Sequence, residues 1–289
     1  MKTVSVDTMR ALDAATIAGG VPGEVLMDRA GRAAAGEIRR EIARGAWGRI
    51  GRLMVLAGRG NNGGDGYVVA RDFAEHGPCP VVLLAAAPPE SLRGAALHHA
   101  RLLPGTVSCQ VPAALPEDVF QAGDLIVDAL LGTGTSGAPR APFDQWIERI
   151  NASGCPVVSL DIPSGLDGDT GGAPGAVVQA DLTVTMALPK TGLLSEAGRP
   201  FCGRLRCVDI GFPAASVAAA AGTGEAVFAA DVRPLLGRRD MAAHKGTFGS
   251  VLVLGGSRLY GGAPLLAGVA ALRAGAGLAT VLRPLGAAR

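Results

Sequence analysis

Hydrophobic positions along the chain follow two periods that alternate. Short runs apolar on both faces occur at 52–57, 80–86, 124–127, 156–160, 181–187 and 204–210, and helical spacing takes over at 66–76, 91–102 and 143–152. Runs without polar alternation predict strands covered on both sides, and strands separated by helices predict parallel pairing through crossovers. The expected fold class is therefore α/β, with a doubly wound, mostly parallel, Rossmann-like sheet. Two further helices are predicted ahead of it, at 5–18 and 23–44. In the second, Val25, Leu26, Ala30, Ala33, Ala34, Ile38 and Ile42 recur at three-to-four spacing and form a stripe that should lie on the sheet.

The pattern breaks after Gly211. Residues 212–224 are almost entirely Ala, Gly, Ser and Pro, the composition of a linker or a loosely packed helix. Beyond it a strand at 250–254, a Gly-rich turn at 255–262, a helix at 263–274 and a strand at 278–282 start a second unit. The expected organisation is a domain over 1–215, a linker over 216–230 and an incomplete unit over 231–289, because so few elements cannot bury a core of their own.

Composition narrows the class. The chain has 43 Gly and 19 Pro in 289 residues, but 48% of it is hydrophobic and no Gly-x-y period runs through it, so it is a globular chain with many turns. Lys and Arg number 27 against 25 Asp and Glu, a net charge of +2. Without a basic stripe this disfavours nucleic acid as a partner, and Arg199, Arg204, Arg206, Arg233, Arg238 and Arg239 read as scattered solvated side chains. No apolar run is long enough to span a membrane. The N-terminal residues carry Asp7 and Asp13 and lack the features of a secretory signal, so a cytoplasmic location is expected. Five cysteines, widely spaced and without a CxxC, indicate neither a disulfide framework nor a zinc site.

Candidate chemistry gathers where strands are predicted to end. After the first apolar run comes 58–66, which satisfies GxGxxG at Gly58, Gly60 and Gly63, but the acidic residue that usually holds a ribose after the second strand is missing. Asn61, Asn62 and Asp65 lie among Gly63, Gly64 and Gly66. Asn oxygens suit a hard cation or a polar ligand, whereas the plainer reading is a capped turn with Asp65 as N-cap. Asp128 closes a later apolar strand, followed by Gly132, Thr133, Gly134, Thr135, Ser136 and Gly137, a polar loop suited to wrapping an anion. A structural hydrogen bond between Asp128 and that loop fits equally well. Asp161 and Ser164 end a third strand. Asp167 and Asp169 just beyond resemble the start of a calcium loop, but Gly171 stands where a third oxygen ligand is needed, so a solvated turn fits better. Ligands of open α/β sheets bind at strand carboxyl ends, so three such clusters point to one shared site.

In order and spacing, GRGNNGGDGYVVAR at 58–71, VDALLGTGTSG at 127–137 and SLDIPSGLDGDTG at 159–171 resemble the YjeF N-terminal family, the NAD(P)H-hydrate epimerases. Leu26 to Gly31 and the stretch from Lys190 to Leu193 fit as well, and the likeness covers about 1–215. The segments 244–249, 251–257 and 271–277 resemble the beginning of the ADP- or ATP-dependent NAD(P)H-hydrate dehydratases, a ribokinase-like fold often fused to the first.

The resemblance implies that Asn61, Asn62, Gly63, Gly64 and Asp65 hold the hydrated dinucleotide. Gly132, Thr133, Gly134, Thr135, Ser136, Gly137 and Ala138 would wrap its phosphates. It implies that Asn62, Asp128 and Ser164 ligate potassium, that Asp161 faces the nicotinamide ring as the catalytic acid and base, and that Ala263 matches a hydrate contact of complete dehydratases. Dehydration is not expected, since nothing after Gly277 resembles that family's phosphate loop and catalytic acid. Related proteins are often dimers, so a homodimer is allowed. The same fold serves as a non-catalytic scaffold or binding module, and this is the alternative to epimerisation. An ordinary nicotinamide dehydrogenase is disfavoured by the missing ribose acid and by the lack of a hydride-transfer His or Tyr; His98 and His99 read as a solvated helix face.

Overall fold

Along β2 (Arg52–Ala57), Leu53, Val55 and Ala57 enter one apolar cluster while Met54 and Leu56 enter another, so successive side chains serve opposite faces of the sheet. That is why the strand runs read as continuously apolar. The computed structural model describes residues 1–134 and 137–284. They form two units, 1–228 and 229–289.

The first unit begins with β1 (Lys2–Thr3), α1 (Val6–Ala18) and α2 (Gly23–Ala43). After β2 follow α3 (Asn61–His76), β3 (Val81–Ala85), α4 (Gly94–Arg101), β4 (Ser108–Gln110), β5 (Asp124–Ala129), α5 (Phe143–Ala152), β6 (Val157–Leu160) and β7 (Leu182–Met186). It closes with the short turns α6 (Thr191–Leu194) and α7 (Arg199–Cys202), then β8 (Arg204–Val208), α8 (Ala214–Ala219) and β9 (Gly224–Glu225). Seven strands pair in the order β4-β3-β2-β5-β6-β7-β8, all parallel. The chain therefore winds outward in one direction from β2 and in the other from β5. The sheet's switch point lies between the carboxyl ends of these two strands, where open α/β sheets form a crevice.

Ile38 of α2, Tyr67 and Phe73 of α3 and Ala96 of α4 cover one face, and Trp146, Ile147 and Ile150 of α5 cover the other. The expected helix 66–76 starts five residues earlier, at Asn61. Its first turn carries no apolar period because its glycines fit beneath the backbone of the preceding turn: a Cβ on Gly63 would lie 2.0 Å from the Gly58 carbonyl oxygen. The N-cap position falls on Gly60, not on Asp65.

Two other readings of the side chains change, and the exposed turn at Asp167 and Asp169 gains a role. His99 is buried, with its Nε2 2.8 Å from the Glu24 carbonyl oxygen and its Nδ1 3.2 Å from Arg71, so of the pair only His98 is exposed. Arg204 and Arg206 reach the buried carboxylate of Glu41 on α2 and are not merely solvated. Asp169 accepts the Val6 N–H at 2.7 Å and so holds the start of α1, while Asp167 closes a turn by accepting from Thr170.

Within the Ala/Gly-rich segment α8 is a short helix, the second of the two forms its composition allows. Val217 and Ala220 pack against Val4, Met9, Leu12 and Leu188, and β9 pairs antiparallel with β1. The second unit holds α9 (Ala229–Val232), β10 (Ser250–Leu254), α10 (Gly262–Ala274) and β11 (Leu278–Leu282), the last strand parallel to β10. Leu252, Leu254, Leu265, Leu266, Val269 and Leu282 are exposed there. Among the described residues no helix is long and apolar enough to cross a membrane.

Candidate functional site

A cleft of about 660 Å³ opens at the switch point, within the size range of small-molecule sites. Its floor is the β2–α3 turn and the loop after β5. These two backbones meet so closely that a Cβ on Gly58 would lie 1.8 Å from the Leu130 carbonyl oxygen. Asn61, Asn62, Asp65, Gly132, Thr133, Gly134 and Asp161 line the cleft, together with Arg10, Asp13, Met27, Arg59 and Lys190. Gly63 and Gly64 lie buried in the first turn of α3, under the contacts that let the turn close. Gly137 and Ala138 follow the β5 loop but do not line the cleft, and Thr135 and Ser136 lie outside the described residues.

Asp128, Ser164 and Asn62 are linked through Leu131, and of the three only Asn62 lines the cleft. The Asp128 carboxylate is fully buried and accepts from Ser159 Oγ at 2.8 Å, Ser164 N at 2.9 Å, Leu130 N at 3.2 Å and Ser164 Oγ. Burial pushes its pKa up, opposed by the hydrogen bonds from Ser164, Ser159 and Leu130. Ser164 Oγ in turn accepts the Leu131 N–H at 2.8 Å. The Asn62 Nδ2 group donates to the Leu131 carbonyl at 2.9 Å, which leaves Asn62 Oδ1 buried without a partner among the described residues. A buried amide oxygen in that state costs free energy unless something occupies it. Oxygens of Asn62, Asp128, Ser164 and Leu131 gathered here make a donor set for a hard cation.

Asp161 sits beyond the end of β6 at φ 63°, in the left-handed region. The Ile162 N–H reaches the Leu160 carbonyl across it at 2.8 Å, a tight three-residue turn of the strained kind. Ala187 after β7 repeats the arrangement, with φ 56° and Leu188 N donating to Met186 O at 2.7 Å. Between these turns the Lys190 ammonium donates to Asp161 Oδ1, to Thr185 Oγ1 at 3.1 Å and to Met186 O at 3.3 Å. Lys190 is 1% exposed. Its backbone is bracketed by Val4, whose N–H donates to Pro189 O and whose carbonyl accepts from Thr191 N, both at 3.1 Å.

Two further carboxyl groups face the same space. Burial raises Asp65 well above the usual carboxylate range, with Asp161 and Asp13 adding to the effect and Lys190 opposing it. Burial pushes Asp13 up to about 6, with Lys190 lowering it and Asp161 raising it. The sequence reading missed Asp13, and it used Lys190 only as part of a matching motif. A signal for Asp13 was present: Met9, Asp13 and Ile17 are four apart on α1 and all three line the cleft. Ala263 belongs to the second unit, in the first turn of α10.

Residues 23–192 match the family described as YjeF-related protein N-terminus. The chain is 39% identical over 273 residues to the bifunctional NAD(P)H-hydrate repair enzyme Nnr of Coxiella burnetii, covering 94% of this chain and 54% of that protein. It is 41% identical over 263 residues to the enzyme of the same name from Hyperthermus butylicus, covering 90% and 46%. The chain thus spans about half the length of the curated relatives it matches. Among solved structures, yeast ynu0 superposes with a TM-score of 0.58 at 26% identity, over 66% of this chain and 83% of that one.

Proposed function

The chain belongs to the YjeF-related N-terminal family, and from that premise we propose that its cleft binds hydrated NADH or NADPH and interconverts the R and S forms at C6 of the nicotinamide ring. The observation that carries this reading is Asp161 on the cleft wall, held against a buried lysine by a strained turn. C6 of the hydrate bears a hydroxyl beside the ring nitrogen. A proton delivered to that hydroxyl lets the nitrogen lone pair expel water and leaves a planar iminium carbon. Water then returns to either face and gives up a proton.

Asp161 handles the proton at this oxygen, and the Lys190 ammonium fixes the carboxylate in place. Asn61, Asn62 and Asp65 of the Asn61–Asp65 segment contact the dinucleotide. Gly132, Thr133 and Gly134, the part of the β5 loop that lines the cleft, take the phosphates on backbone N–H groups. Asn62, Asp128 and Ser164, with the Leu131 carbonyl, are the residues that would hold potassium. When bound, that ion offsets the buried charge of Asp128 and ties the β2 and β5 loops to the loop after β6.

The net charge of +2 supports a small-molecule substrate over nucleic acid, and the reading places the protein in the cytoplasm and allows a homodimer. The second unit is read as the start of a dehydratase domain, and no dehydration is expected of these residues.

Pure R hydrate, followed chromatographically with potassium or sodium as the only cation, tests the reading. The protein should bring either epimer to the same equilibrium ratio, faster in potassium, and Asp161→Asn should lose this activity. An Asp161→Asn protein that epimerised at the full rate would remove Asp161 from the chemistry, and a fully active potassium-free enzyme would remove the ion.

A further inference from the structure

We propose that Asp13 is a second proton-handling residue, serving the face of the nicotinamide ring opposite to the one Asp161 serves. The inference rests on the epimerase reading. Inversion at C6 requires water to leave from one face of a planar iminium and to return to the other. A single carboxyl group fixed on one wall reaches one face, and Asp161 is so fixed: its turn is strained and Lys190 holds its Oδ1. The other face needs a group from another element.

Asp13 meets that need. It projects from α1 into the same cleft, and its carboxyl group takes part in no hydrogen bond among the described residues. Its helix is anchored at three points: Ser5 accepts the Thr8 N–H, Asp169 accepts the Val6 N–H, and Met9 and Leu12 are buried against Val4 and Leu188. Arg10, one turn away on α1, is engaged by Asp7 and by the Thr133 carbonyl, so it leaves Asp13 unpaired. The charged and titratable groups facing Asp13 are Lys190, Asp161 and Asp65. Burial pushes its pKa up to about 6, close to where a general acid and base works best, whereas burial raises that of Asp65 well above the usual carboxylate range.

The step balances without a further reactant. Asp13 in its acid form protonates the C6 hydroxyl, the C6–O bond breaks, and water leaves with the former C–O electron pair while the ring nitrogen supplies the pair for the C=N bond. Water adds to the opposite face, the iminium electrons return to nitrogen, and the Asp161 carboxylate accepts the surplus proton. The reverse epimerisation uses the opposite protonation states, and exchange with solvent resets the pair. Two forms of the enzyme, one per direction, follow from this scheme.

The test compares the wild type, Asp13→Asn and Asp13→Glu in both directions, starting from pure R and from pure S hydrate, with thermal melting to confirm folding. Asp13→Asn should lose about 10²-fold or more of the rate in both directions while the Kd for the hydrate changes less than threefold. Asp13→Glu should retain activity and displace the limb of the rate profile near pH 6. An Asp13→Asn protein within threefold of the wild-type rate overturns the inference and leaves the epimerase reading standing. If Asp13→Asn does not fold, an unmoved limb in Asp13→Glu overturns it in the same way. A wild-type protein that does not accelerate epimerisation defeats the underlying reading itself.

Discussion

The Lys190 ammonium uses all three of its donors inside the protein, on Asp161, Thr185 and Met186, so it orients the Asp161 carboxylate and has no N–H left for a ligand. The pair joins the end of β6 to the chain after β7. Because Lys190 is 1% exposed, neither charge is easily left alone.

Removing one partner of such a pair should cost more than removing both. Lys190→Met is expected to destabilise the protein by about 3 kcal/mol, and adding Asp161→Asn to it should recover part of that loss. Denaturant unfolding of the two single variants and the double variant measures the coupling. Strict additivity would mean that the contact carries no energy.

The orphaned oxygen of Asn62 makes a separate prediction. Potassium chloride should raise the melting temperature more than sodium chloride at equal ionic strength, and Asn62→Ala should abolish the difference. The substitution itself costs about 1 kcal/mol, because it removes the hydrogen bond to Leu131. Equal melting in both salts would argue against an ion at this place.

Glycine positions near the cleft should separate sharply. Gly58→Ala puts a Cβ 1.8 Å from the Leu130 carbonyl oxygen, between two backbones that cannot both move. It should destabilise by at least about 3 kcal/mol. At Gly60, where a Cβ meets nothing within 4 Å, alanine should cost no more than about 1 kcal/mol as a poorer cap. Equilibrium unfolding of the two variants decides.

Asp13 also predicts a pH-dependent stability. Its pKa is about 6 in the fold against 3.8 unperturbed, so between these values the folded chain binds the extra proton and stability falls as pH rises. Asp13→Asn removes the penalty. It should stabilise the protein by about 1–2 kcal/mol at pH 8, allowing for screening by solvent, and have little effect at pH 4. Thermal melts at the two pH values check the sign; a variant stabilised only at pH 4 would contradict it.

Much of this fold was legible because parallel strands covered on both faces leave unbroken apolar runs, as at 52–57 and 124–127. The three strand-end clusters converge as expected, since a parallel sheet puts all its carboxyl ends on one edge. The first turn of α3 was hidden because Gly63 and Gly64 are chosen for backbone contact and not for periodicity. His99, Arg204 and Arg206 looked solvated because their partners, Glu24 and Glu41, are distant in sequence. Asp13 and Lys190 stayed obscure for the same reason: their relation to Asp161 exists only after α1 and the chain beyond β7 have folded onto the end of β6.

The central claim is that this cleft breaks and remakes the C6–O bond of hydrated NAD(P)H. The most direct measurement is a single-turnover reaction of pure R hydrate in ¹⁸O-labelled water, with the epimers separated and weighed by mass spectrometry. The account predicts S hydrate appearing at a protein-dependent rate and carrying the label at C6. S hydrate forming no faster than without protein, or forming with its original oxygen retained, would contradict it.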